Sequence, residues 1–103
     1  MEEYLHNELI HFAKPETTFE ELYTYMNGMI CSCGFVNLDF IGNLGHSIAR
    51  KKEDRIYIEK GNTRRLGEAA YFTFEPHIGT AGSAYGYKKE NIYYFDSGNL
   101  KEL

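Results

Sequence analysis

The chain has 103 residues, 43% of them hydrophobic and 25% charged, which bounds it to a single globular domain near the lower size at which a chain buries a core of its own. A net charge of −4, with basic residues scattered apart from Arg50-Lys51-Lys52 and Arg64-Arg65, argues against a nucleic-acid partner. No apolar run approaches the roughly 20 residues that a membrane span needs, and the acidic start Met1-Glu2-Glu3 has no signal-peptide character, so no membrane association and a cytoplasmic location are expected.

Residues 2–13 read as a helix, with Leu5, Leu9 and Phe12 on one stripe and Lys14-Pro15 closing it. His6 and His11 fall off that stripe and are expected in solvent. A second helix is expected from Thr17 or Thr18, where Glu20 and Glu21 are placed for a capping box. It runs through Phe19, Leu22, Tyr23, Met26, Met29 or Ile30, and Cys33 at helical spacing until Gly34 stops it. Cys31 and Cys33 would point roughly 200° apart on that helix. With no histidine or cysteine partner at metal-binding spacing, they read as reduced, buried thiols. Residues 35–40 suggest a short strand, and the glycines that follow, Gly42 and Gly45, leave His46 as the one imidazole displayed there. A histidine so placed fits either a structural residue or a ligand. Residues 50–60 are charge-rich around a short Ile56-Tyr57-Ile58 strand and read as a solvated face.

The centre of the chain is Tyr71-Phe72-Thr73-Phe74-Glu75-Pro76-His77-Ile78-Gly79. Strand alternation sends Tyr71, Thr73 and Glu75 to one face and Ala70, Phe72 and Phe74 to the other, so the two helices are expected to cover the face with the phenylalanines. A second strand is expected over residues 88–95, rich in aromatic and β-branched types. If Gly82-Ser83 makes a two-residue turn between the runs, Glu75 falls directly opposite Glu90. Like charges so opposed destabilise a sheet. Either a divalent cation held by both carboxylates compensates, or the loop is longer, the register differs, and both glutamates are solvated. The fold class expected on these patterns is α+β, two N-terminal helices packed on an antiparallel sheet.

The ordered set Leu44-Gly45-His46-Ser47-Ile48, Phe72-Thr73-Phe74-Glu75-Pro76 and Lys88-Lys89-Glu90-Asn91-Ile92 resembles the C-terminal part of the pitta-bread metallopeptidases. That group includes methionine aminopeptidases, Xaa-Pro aminopeptidases and prolidases, which carry a Gly-His-Gly-Ile-type segment, a Thr-Ile-Glu-Pro-type strand and an Arg-x-Glu-Asp-type strand in this order. Upstream, Ala13-Lys14-Pro15-Glu16-Thr17-Thr18 is similar to the family's Lys-Pro-Gly-x-Thr approach to a helix. The resemblance implies a partial pitta-bread (creatinase-aminopeptidase) fold, with residues 1–103 forming one domain equivalent to the C-terminal portion of a catalytic domain.

The resemblance makes His46, Glu75 and Glu90 metal ligands, with Glu75 also the proton shuttle. One imidazole and two carboxylates suit Mn²⁺, Co²⁺, Fe²⁺ or Zn²⁺, and a metal-activated water would hydrolyse the first peptide bond of a peptide substrate. The implied activity is that of an aminopeptidase, with the Xaa-Pro type among the options. Family members bind two metals with two further aspartates on strands before the first helix seen here. Asp39, Asp54 and Asp96 do not match those positions, so the implied dinuclear site is incomplete and an upstream segment or a partner chain would have to supply the aspartates. Glu53-Asp54 stands where the family often has a substrate-polarising histidine, with His77 the suggested catalytic replacement, and Lys88 stands where an arginine is usual. The alternative is a non-catalytic remnant or interaction domain that keeps the fold without a complete metal site.

Overall fold

A computed structural model describes residues 2–38, 43–80 and 86–103. Helix α1 spans Glu2–Phe12 and α2 spans Phe19–Ser32. Thr18 caps α2 as its sequence suggests: its hydroxyl accepts from the Glu21 N–H at 3.0 Å, and the Glu21 carboxylate accepts from the Thr18 N–H at 2.8 Å. The helix stops where Gly34 takes a left-handed φ of 86°, which a residue with a Cβ adopts only at a cost. Phe12 stacks on Tyr25 with ring centroids 4.0 Å apart, joining the two helices.

Six short strands follow: β1 Phe35–Asn37, β2 Phe72–Phe74, β3 His77–Thr80, β4 Tyr87–Lys88, β5 Asn91–Asp96 and β6 Asn99–Glu102. They form two antiparallel sheets, ordered β1-β3-β4 and β2-β5-β6. The two expected central strands are therefore each divided in two. The cause is Pro76, which has no N–H to give to a ladder and sits between Phe74, paired with Asn91, and His77, paired with Lys88. One register runs through both sheets despite the break. The Gly82-Ser83 turn lies outside the described residues, as do residues 39 and 40 of the expected 35–40 strand.

The core comprises Leu5 and Leu9 of α1, Phe19, Leu22, Met26 and Ile30 of α2, and Phe72, Phe74, Ile78 and Tyr93 of the sheets, all without solvent exposure. Phe19 meets Phe72 edge-on at 6.4 Å, and His6 meets Phe74 edge-on at 4.9 Å. The helices thus cover the phenylalanine face, as the alternation requires.

Four local expectations are corrected. His6 is buried, 3% exposed, because Tyr93 and the Lys89 carbonyl satisfy both of its ring nitrogens. Cys31 and Cys33 are free thiols as expected but exposed, since the buried stripe of α2 ends at Ile30. The 56–58 run makes only a bridge from Tyr57 to His46, rather than a strand. Strand β6, not anticipated, follows a tight turn in which Ser97 and Gly98 both have positive φ, 53° and 83°.

Candidate functional site

The site is built where β2 ends. Residues 44–48 lie beside β2 as an irregular strand. Their backbone exchanges hydrogen bonds with residues 56–58 on one side (Leu44 N–H to Ile58 O, 2.9 Å; Ser47 N–H to Ile56 O, 2.8 Å) and with β2 on the other (Thr73 N–H to His46 O, 2.8 Å; Glu75 N–H to Leu44 O, 2.9 Å). The buried Thr73 hydroxyl adds a third tie by accepting from the His46 N–H at 3.1 Å. The approach is close enough that Gly45 is required. Its φ is 147°, and a Cβ there would collide with the Thr73 carbonyl.

His46 is half-buried, and its Nδ1–H donates to the Ser47 carbonyl at 2.8 Å. A carbonyl only accepts, so this bond assigns the proton to Nδ1 and leaves the Nε2 lone pair available. The ring rests edge-on against Tyr57 at 5.8 Å.

Glu75 follows β2, and its side chain is 18% exposed. Glu90 lies between β4 and β5, exposed. The common register of the flanking pairs Phe74·Asn91 and His77·Lys88 brings Glu75 opposite Glu90. The neighbouring Glu75 carboxylate raises the pKa of Glu90 above the ordinary carboxylate value, first through hydrogen bonding, then with burial and the Glu75 charge acting in the same direction. Lys88 and His46 act against the rise, so both side chains lie near enough to influence Glu90. The Lys88 ammonium stands 3.7 Å from Glu75 Oε1.

The remaining candidates are not drawn in. His77 is half-buried on β3 against Gly86, where a Cβ would come within 2.9 Å of its Nε2. Among the described residues no polar contact links it to Glu75 or Glu90. Glu53 and Asp54 are exposed on a 3₁₀ turn over Lys52–Asp54, Asp96 is exposed at the end of β5, and Asp39 lies outside the described residues.

A family profile, Metallopeptidase family M24, matches residues 3–97. The chain belongs to this family. The α+β arrangement of two helices and antiparallel sheets is a partial M24 fold, and the family's members are hydrolases that generally bind divalent metals. No curated protein matches the chain.

The donors fit a divalent cation chemically: two carboxylates opposed in register, and an imidazole whose tautomer frees Nε2. Among the described residues, no three His, Cys, Asp or Glu side chains are gathered into a metal-holding group as they stand. The missed feature is the partner of Lys88, which lies directly across from His77 in register and pairs with Glu75 rather than with its near neighbour Glu90.

Proposed function

We propose that this M24 chain carries the C-terminal ligand set of a metallo-aminopeptidase site, with His46, Glu75 and Glu90 as metal ligands. The observation that carries the reading is the opposition of Glu75 and Glu90 in register beside the His46 segment. A bound Mn²⁺, Co²⁺, Fe²⁺ or Zn²⁺ would supply Lewis-acid activation of water and of the scissile carbonyl. Glu75, the less exposed carboxylate, is the group that takes a proton from the attacking water and passes it to the leaving amine. His46 offers Nε2 to the metal while its Nδ1 bond to Ser47 fixes the ring. His77 is the proposed partner of the substrate carbonyl.

The substrate class is a peptide with a free N-terminus, with bonds preceding proline among those cut. The two further aspartates of the family's dinuclear centre are proposed to come from a preceding segment or a partner chain. The 103 residues alone should then show little turnover, because misplacing reacting groups by about 1 Å can cost about a hundredfold.

One observation favours a second reading, a non-catalytic domain. Lys88 places an ammonium 3.7 Å from Glu75, where it partly satisfies the pair without a metal. The test is release of the N-terminal residue from Xaa-Pro and Xaa-Ala peptides with Mn²⁺, by the chain alone and with the aspartate-bearing N-terminal half of an M24 enzyme added. Turnover that appears only in the mixture and disappears with Glu75→Gln supports the peptidase reading. Absence of turnover in every mixture supports the non-catalytic one.

A further inference from the structure

The Glu75–Glu90 pair stands at the joint between the two sheets, where regular pairing lapses. Strand β4 ends at Lys88 and β5 begins at Asn91, so the backbone at Lys89 and Glu90 belongs to neither strand. One buried side chain from the opposite end of the sequence reaches this joint. His6 on α1 is 3% exposed, and its Nε2–H donates to the Lys89 carbonyl at 2.9 Å. Because that oxygen only accepts, the proton is on Nε2, and Nδ1 accepts from the Tyr93 hydroxyl at 2.6 Å. The ring also meets Phe74 edge-on at 4.9 Å and stacks on Tyr93 at 5.8 Å.

The contacts have a simple relation to the site. Lys89 immediately precedes Glu90, and Phe74 immediately precedes Glu75. A single imidazole therefore touches the residue before each carboxylate, one by a hydrogen bond and the other by ring packing. We propose that His6 is a positioning residue for the candidate site, clamping the Lys89-Glu90 backbone to β2 so that the Glu75 and Glu90 carboxyls face each other. An apolar side chain of similar size would fill the space against Phe74 but could not hold the Lys89 carbonyl. The geometric part of this inference stands by itself, and its consequence for metal affinity rests on the proposed M24 site.

The test uses the full 103-residue chain and separates the two hydrogen bonds. In His6→Gln the amide N–H₂ can take the place of Nε2–H at Lys89. In His6→Asn the amide is too short to reach that carbonyl and stands instead near Nδ1, and Tyr93→Phe removes only the phenol partner. Two quantities are read for each variant: nuclear Overhauser contacts between the Glu75 and Glu90 side-chain methylenes without metal, and Mn²⁺ affinity by calorimetry. Urea midpoints measured alongside report stability separately.

The expected result is that His6→Gln and Tyr93→Phe keep the contacts and bind Mn²⁺ within about twofold of the wild type. His6→Asn should lose the contacts and bind about tenfold more weakly, the scale of removing an outer-shell partner. If His6→Asn retains both contacts and affinity, or if Tyr93→Phe loses them equally, the positioning role is overturned and His6 is core packing. If His6→Leu can also be folded, it should behave like His6→Asn. Absence of Mn²⁺ binding in the wild type, with the contacts responding as expected, would overturn the metal site and leave the positioning role standing.

Discussion

Replacing Phe74 by Ala probes the joint between core and site. Phe74 has no solvent exposure, meets the His6 ring, and immediately precedes Glu75. Truncating a fully buried phenylalanine costs about 3 to 5 kcal/mol in lost transfer energy and residual cavity. A domain of this size has roughly 5 to 15 kcal/mol in all, so the variant should keep its fold with much of its margin gone. With a urea slope of about 2 kcal/mol/M, the unfolding midpoint should fall by about 2 M. Urea denaturation followed by circular dichroism, with the slope fitted for both proteins, gives the number directly. An unchanged midpoint at unchanged slope would mean that the helices do not pack on this face, and the orientation of Glu75 towards the opposite side would lose its basis.

Burial lowers the pKa of His6, so the native state resists its protonation while the unfolded chain takes up a proton near pH 6.5. Stability should therefore fall as pH drops below about 6.5, and His6→Gln should remove that part of the slope. Glu2 acts in the opposite sense: burial pushes its carboxyl up to about 7 from 4.5, so its contribution is present below 4.5 and lost as pH rises through about 7, and Glu2→Gln should flatten that loss. Gly45→Ala should destabilise by roughly 1 to 3 kcal/mol through a strained φ and a collision with the Thr73 carbonyl, read as a lowered urea midpoint. Both thiols, Cys31 and Cys33, should react with Ellman's reagent in the native protein at rates close to those in denaturant, and protection of either would contradict their exposure.

Periodicity made the helices and the face they cover legible, because the stripe of α2 and the Phe72·Phe74 alternation each mark one apolar side. The opposition of Glu75 and Glu90 was legible as well, since a register follows from where a turn is centred and survives the interruption at Pro76. The division into two sheets was not read from the continuous aromatic pattern, although the proline that causes it was in view. A helical wheel places His6 in solvent because it assigns faces from one helix alone. A polar side chain on the flank becomes buried once a tyrosine and a carbonyl from residues 89–93 satisfy both ring nitrogens. The ammonium beside the carboxylates was hidden for a similar reason: Lys88 precedes Glu90 by two residues, yet its partner is Glu75, across the ladder.

Calorimetric titration of the chain with Mn²⁺, beside Glu90→Gln, tests the carboxylate site most directly. The neighbouring Glu75 carboxylate raises the Glu90 pKa and a bound divalent cation would lower it, so the wild type should bind weakly with binding linked to proton release, read as a heat that varies with buffer ionisation enthalpy. Glu90→Gln should weaken binding by at least about tenfold, since even outer-shell partners contribute on that scale, and should abolish the buffer dependence. Equal Mn²⁺ affinity and equal proton release in the two proteins would show that Glu75 and Glu90 do not form a metal site.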